Sequence, residues 1–125
     1  MKKGIELLEQ YPKASEVVLE WYKNKMKDSL NISALSEDIK ESFNDYIIGL
    51  DHISVMIDTN PRFLFDVLDE NDIYVEILVD YKSNIANFSY TVISDEMYSN
   101  PLTYISRKHA ELAAIEQAFK LLENL

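Results

Sequence analysis

Apolar and polar residues alternate along two consecutive stretches of the chain, residues 73–82 and 85–93. Strict alternation is typical of strands that bury one face. The two residues between the stretches, Ser83 and Asn84, are few enough to form a tight turn. The sequence therefore predicts an antiparallel hairpin that is closed by this turn.

The register of the hairpin follows from the same alternation. A two-residue turn brings the alternating apolar residues of both strands onto one face, and a slip of one residue would set them against polar residues. The predicted pairs are Val75 with Val92, Ile77 with Tyr90, Val79 with Phe88 and Tyr81 with Ala86. We expect this apolar face to lie in the core, against a C-terminal helix.

Elsewhere, apolar residues recur every three or four positions, which is typical of amphipathic helices. Proline favours the first turn of a helix, glycine a helix end, and serine or asparagine the cap position before the first turn. On these signals, we expect Gly49 to end one helix and Asn60 or Thr59 to cap another. The predicted helices begin near Ile5, Pro12, Ser36, Asp51, Pro61 and Ser106.

These elements predict an α+β fold with a helical N-terminal half, an antiparallel sheet of two or three strands, and a C-terminal helix packed on the sheet. Two strands alone are marginally stable, so either a third strand within residues 98–105 or packed helices must complete the layer. The chain has 125 residues and neither an internal repeat nor a flexible linker. We therefore expect a single domain.

The composition excludes several classes of site and partner. The chain has no cysteine, which excludes disulfides, thiol nucleophiles and cysteine-based zinc sites. Its formal net charge of −10 disfavours direct binding to nucleic acid and to anionic membrane surfaces. No apolar run approaches the roughly 20 residues that cross a bilayer. We expect no export signal, because Glu6 and Glu9 precede any apolar stretch near the first residue. We expect a cytoplasmic protein without membrane association.

No motif in the sequence assigns a catalytic or cofactor site. His52 and His109 are the only histidines, and neither stands at a metal-ligand spacing. The chain has two glycines, too few for a glycine-rich phosphate loop, and it has no nucleophile elbow. We therefore expect a protein that is not an enzyme and holds neither a cofactor nor a metal, with a small enzyme or metal protein as the least favoured alternative.

Acidic residues are concentrated where the chain passes from the predicted helix at residues 61–71 into the hairpin. We call the following five residues the acidic patch: Asp66, Asp69, Asp72, Glu76 and Asp80. Their spacing does not match a calcium-binding loop. A continuous negative surface would attract a basic partner, although surface acids also serve solubility.

We therefore expect a noncatalytic binding or accessory protein that acts through protein–protein contacts, with the acidic patch as the candidate contact surface. The alternative is an acidic inhibitor that imitates DNA and occupies the site of a nucleic-acid-binding protein. For an acidic inhibitor of this kind, the partner would be basic. The sequence leaves the oligomeric state open.

Residues 56–71 read MIDTNPRFLFDVLDEN, and residues 106–119 read SRKHAELAAIEQAF. Both segments resemble parts of small uncharacterised proteins that bacteriophages and prophages encode. The resemblance implies a bacterial cytoplasm and an accessory role in phage biology. It implies no activity and no catalytic residues.

Overall fold

The computed structural model describes residues 3–30, 49–99 and 102–125. Five helices and a three-stranded antiparallel sheet make up the described part. The helices are α1 (Gly4–Gln10), α2 (Pro12–Leu30), α3 (Leu50–Thr59), α4 (Phe63–Glu70) and α5 (Arg107–Glu123). The strands are β1 (Tyr74–Lys82), β2 (Ile85–Ile93) and β3 (Met97–Ser99).

This arrangement confirms the predicted α+β fold, with a helical N-terminal half and a C-terminal helix that packs on β1 and β2. The helix that was predicted to begin near Ser36 lies outside the described residues. The third strand is confirmed and begins at Met97, one residue before the predicted segment.

Helix beginnings agree with the sequence signals in some places and differ in others. Pro12 is the first residue of α2, where its missing N–H costs no intrahelical bond. Within the described residues, Gly49 is the N-cap of α3, so that helix begins one residue before Asp51. The carboxylate of Asp51 instead lies in the first turn, where the helix dipole favours a negative charge.

Helix α4 begins two residues after its predicted start at Pro61. The N-cap is Arg62, and it makes no side-chain cap bond. Asn60 Oδ1 instead accepts a hydrogen bond of 3.3 Å from the Arg62 N–H. Asn60 therefore stabilises a turn that precedes the helix and does not cap the helix itself. The prediction of the helix was right and that of its cap was wrong.

The hairpin has the predicted register, with all four apolar pairs in place. Ser83 and Asn84 adopt φ values of 52° and 64°, the left-handed conformation at both central positions that a type I′ turn requires. This turn twists in the same sense as the strands it joins, which explains why a Ser-Asn pair closes a regular hairpin.

The core lies between the sheet and the helices. Ala110, Ala114 and Ala118 of α5 are fully buried, which allows the helix to approach its neighbours closely. The largest fully buried side chains are Phe119, Leu8, Ile53, Ile57, Leu64, Leu68, Ile73, Ile115, Val18, Val67 and Val92. They come from all five helices and from the sheet, so the described segments share one core.

Helix α1 packs closely on α3 through Gly4. The Gly4 N–H donates a hydrogen bond of 2.7 Å to Asp58 Oδ1. A methyl group at Gly4 would lie 2.5 Å from the carbonyl oxygen of Ser54 and 3.1 Å from the Cβ of Ile57. The two helices can therefore adopt this separation only because residue 4 has no side chain.

Candidate functional site

The outer edge of β1 is a long strand edge of the described sheet. Among the described residues, the strands lie in the order β1-β2-β3, so β1 has one neighbouring strand there. In the described part of the chain, nothing pairs with its other side. A long edge strand with an unpaired side is a template to which another strand can add.

A hydrogen-bonded pair at the far side of β2 shows which residues of β1 face this edge. The N–H and C=O groups of Phe88 exchange hydrogen bonds of 2.8 and 2.7 Å with Tyr104, on the side of β2 that is turned away from β1. Phe88 is also the residue opposite Val79. Because hydrogen-bonded and non-hydrogen-bonded pairs alternate in an antiparallel ladder, the backbone groups of Val79 also point away from β2.

The same alternation extends to the residues two positions away on either side of Val79. Ile77, Val79 and Tyr81 thus direct their backbone N–H and C=O groups toward the outer side of β1. We call these three residues the β1 edge.

The apolar side chains of the β1 edge are only partly covered, which corrects the sequence prediction. Val79 is 50% exposed and Tyr81 is 66% exposed, although both were expected in the core. Val75 and Ile77, nearer the start of the strand, are half-buried against the core. The core therefore ends about halfway along β1, and the half near the turn extends beyond it.

Strand length is the signal that would have revealed this exposure. Nine residues of strand extend roughly 30 Å, whereas a helix with its side chains is only about 10–12 Å across. A single helix covers the whole length of such a strand only if the helix axis runs parallel to the strand. The alternation identified which face of β1 is apolar, but it contains no information on how much of that face the packed helix covers.

The opposite face of the hairpin also exposes apolar side chains near the turn. Leu78 is 43% exposed and Ile85 is 58% exposed. On this face, Lys82 Nζ lies 3.5 Å from Asp80 Oδ2, an ion pair that is open to solvent. The outer half of the hairpin therefore presents apolar contact area on both faces, beside backbone groups that no described residue pairs.

All five residues of the acidic patch are exposed. Asp66 and Asp69 lie on α4, Asp72 lies in the turn that follows, and Glu76 and Asp80 project from the same face of β1. Asp72 has a φ of 59°, a left-handed conformation that aspartate tolerates better than most residues. The patch therefore begins on α4 and continues along one face of β1, and its role as an interaction site stays a prediction.

The acids nearest the start of β1 act on Tyr74. The Tyr74 hydroxyl donates a hydrogen bond of 3.3 Å to Asp72 Oδ1. The negative charge of Asp72 raises the pKa of the Tyr74 phenol above its ordinary value of 10.0, and desolvation, the hydrogen bond and the charge of Asp69 act in the same direction. Asp69 and Asp72 are therefore close enough for their fields to overlap at Tyr74.

The two histidines have separate surroundings. His52 Nε2 lies 3.2 Å from the hydroxyl of Tyr22. The backbone N–H of His109 donates to the Oγ of Ser106, the N-cap of α5, at 3.2 Å. Within the described residues, no group of three or more histidine, aspartate or glutamate side chains could hold a metal ion.

A cleft of about 380 Å³ opens between α1, α3 and α5. Its described lining residues are Leu7, Ile57, Tyr104, His109, Leu112, Ala113 and Glu116. This volume lies near the lower limit of ligand pockets. The lining is mainly apolar and does not specify a ligand, so the β1 edge, with its outward backbone groups, is the stronger candidate.

No described helix has the length and apolar character that a membrane span requires. No protein-family model, curated protein or solved structure matches the chain. The resemblance to phage and prophage proteins therefore stays a prediction, and the candidate function is derived from the geometry of the hairpin.

Proposed function

We propose that the chain is a noncatalytic protein-binding module that takes up an extended segment of a partner along the β1 edge. The observation that supports this most directly is the outward orientation of the Val79 backbone groups at the middle of an edge strand. In this mode of recognition, main-chain hydrogen bonds supply affinity and the adjacent side chains supply specificity.

The exposed apolar side chains of the β1 edge would add to the affinity for a partner strand. A partner strand beside β1 would cover part of Val79 and Tyr81, which are the most exposed apolar residues on that face. Each square ångström of apolar surface that leaves water contributes roughly 25 cal/mol. The side chain of Tyr81 also combines a large apolar area with a polar end, a combination that is enriched in interfaces.

A proline at position 79 tests the backbone part of the proposal. Proline has no N–H and is tolerated in edge strands where that group faces solvent. Val79→Pro therefore removes one outward donor and keeps the bonds between β1 and β2. Val79→Thr is the matched control, because it keeps both the N–H group and the β-branched shape.

The probe is a set of peptides selected from a random library and titrated into the isotope-labelled protein. We expect the amide resonances of Ile77, Val79 and Tyr81 to shift, Val79→Thr to bind, and Val79→Pro to lose most of the binding. Shifts that map to another surface, or equal binding by both variants, would refute the proposed site.

The acidic patch supports a second candidate, an inhibitor that occupies a basic groove. The exposure of all five carboxylates favours this candidate over a buried ionic network. The test is Glu76→Gln combined with Asp80→Asn, with a peptide of alternating lysine and valine as the probe. Slower association and a weaker salt dependence would support an electrostatic role, and unchanged association across a salt titration would exclude it.

A further inference from the structure

The exposed face of β1 carries a charge pattern that is complementary to itself in the antiparallel direction. Glu76, Leu78, Asp80 and Lys82 project from this face in that order. The strand therefore has an acid, Glu76, near one end and an ion pair of Asp80 with Lys82 near the other. When such a strand lies antiparallel to its own copy in a suitable register, Glu76 of each copy faces Lys82 of the other.

Symmetry limits how two copies can pair through this edge. Two copies in one continuous antiparallel sheet are related by a twofold axis perpendicular to that sheet, so the same face of each copy lies on the same side. Residues that face each other must then both be odd-numbered or both be even-numbered. The permitted registers differ in the residue that lies on the axis and faces its own copy.

One register places opposite charges and apolar residues against each other along most of the strand, with Leu78 facing Asp80 of the second copy as the exception. With Val79 on the axis, Glu76 of each copy faces Lys82 of the second copy, which makes two symmetry-related opposite-charge pairs. Ile77 faces Tyr81 of the second copy on the other side of the sheet. The outward backbone groups of the two β1 edges can then exchange about six hydrogen bonds.

The neighbouring registers are less favourable. With Leu78 on the axis, Glu76 faces Asp80 of the second copy, and with Asp80 on the axis, Asp80 faces itself. Like charges directly opposite each other destabilise a strand pair. With Ile77 on the axis, no opposite-charge pair forms and Lys82 lies beyond the paired residues. With Tyr81 on the axis, Asp80 faces Lys82 of the second copy, but only residues 80–82 of each β1 then pair, so fewer backbone hydrogen bonds form.

We propose that the partner of the β1 edge is a second copy of this chain, paired antiparallel with Val79 on the twofold axis. This inference rests on the proposed function, since it names the partner of the same edge. The pairing covers Val79 and Tyr81 of both copies and joins two three-stranded sheets into one of six strands. At physiological ionic strength, screening over about 8 Å limits the repulsion between two chains of net charge −10.

Charge reversal at two positions tests the register. Glu76→Lys and Lys82→Glu should each replace two opposite-charge pairs by two like-charge pairs and raise the dimer dissociation constant about tenfold or more. The double variant restores opposite charges and should restore the dimer. Glu9→Lys and Lys13→Glu, at exposed positions on α1 and α2, change the net charge equally and should leave the dimer intact.

The measurement is sedimentation equilibrium of each full-length variant over a wide concentration range, with circular dichroism to show that each one is folded. A wild-type chain that stays monomeric at millimolar concentration overturns the second copy as the partner. If selected peptides still bind the β1 edge of that monomer, the proposed function stands and its partner is a different protein. A dimer that both single variants leave unchanged, or that the double variant does not restore, overturns the register.

Discussion

Replacement of Gly4 by alanine tests the packing of α1 on α3. Helix propensity alone predicts a gain of up to about 1 kcal/mol in the free energy of unfolding, because alanine is the better helix former. The structure predicts the opposite sign. The new methyl group would lie 2.5 Å from the carbonyl oxygen of Ser54, which is closer than side-chain Cβ atoms approach other groups.

This contact can be relieved only by a movement of one helix, since the Ser54 oxygen belongs to the backbone of α3. Such a movement also lengthens the 2.7 Å hydrogen bond from the Gly4 N–H to Asp58. Overpacking of this kind costs about 1–3 kcal/mol, so we expect Gly4→Ala to lower the free energy of unfolding by about that amount.

The assay is equilibrium denaturation in urea, followed by the fluorescence of the single tryptophan, Trp21. Gly49→Ala is the control, because a methyl group there has no atom within 4 Å to collide with. Because Gly49 is the N-cap of α3, where glycine is preferred to alanine, we expect that control to cost up to about 1 kcal/mol without any steric clash. A larger loss at Gly4 would then measure the clash with Ser54. A Gly4→Ala variant as stable as the wild type, or more stable, would contradict the close helix contact.

Three further outcomes follow from particular contacts. Ser83→Asn should raise the free energy of unfolding by roughly 0.5–1 kcal/mol, because asparagine tolerates the observed φ of 52° better than serine. Urea denaturation measures this change, and a loss of stability would contradict the type I′ turn. Asp72→Asn should lower the pKa of Tyr74 toward its ordinary value of 10.0, since it removes the main charge that opposes phenolate formation, and an NMR titration that shows no shift would contradict that cause. Arg62→Gln should cost about 1–2 kcal/mol, because the 5% exposed Glu111 loses a guanidinium contact of 3.1 Å, and the added change Glu111→Gln should recover part of this loss.

Local periodicity was sufficient to predict the hairpin. The alternating apolar residues of both strands coincide on one face in a single register, so the pairing of Val79 with Phe88 needed no long-range information. Proline and serine at helix beginnings were similarly informative, as Pro12 and Ser106 show. These signals act within a few residues of the chain, which is why a single sequence contains them.

The candidate site depended on contacts that periodicity does not contain. The bridge between Phe88 and Tyr104 joins one residue of β2 to one residue of a later segment, and no local pattern marks it. The exposure of Val79 and Tyr81 depends on where α5 stops covering the sheet. The contact of Arg62 with Glu111 likewise joins residues 49 positions apart.

The unequal lengths of the two outer strands affect whether association stops or continues. If two chains join through β1 with Val79 on the axis, residues 76–82 of both edges are paired, and within the described residues the outermost strands of the joined sheet are the two copies of β3, which have three residues each. Such a short edge offers few sites to an incoming strand. The assembly would then end at two chains instead of growing into a fibril, so a concentrated solution should remain clear and should not bind amyloid dyes.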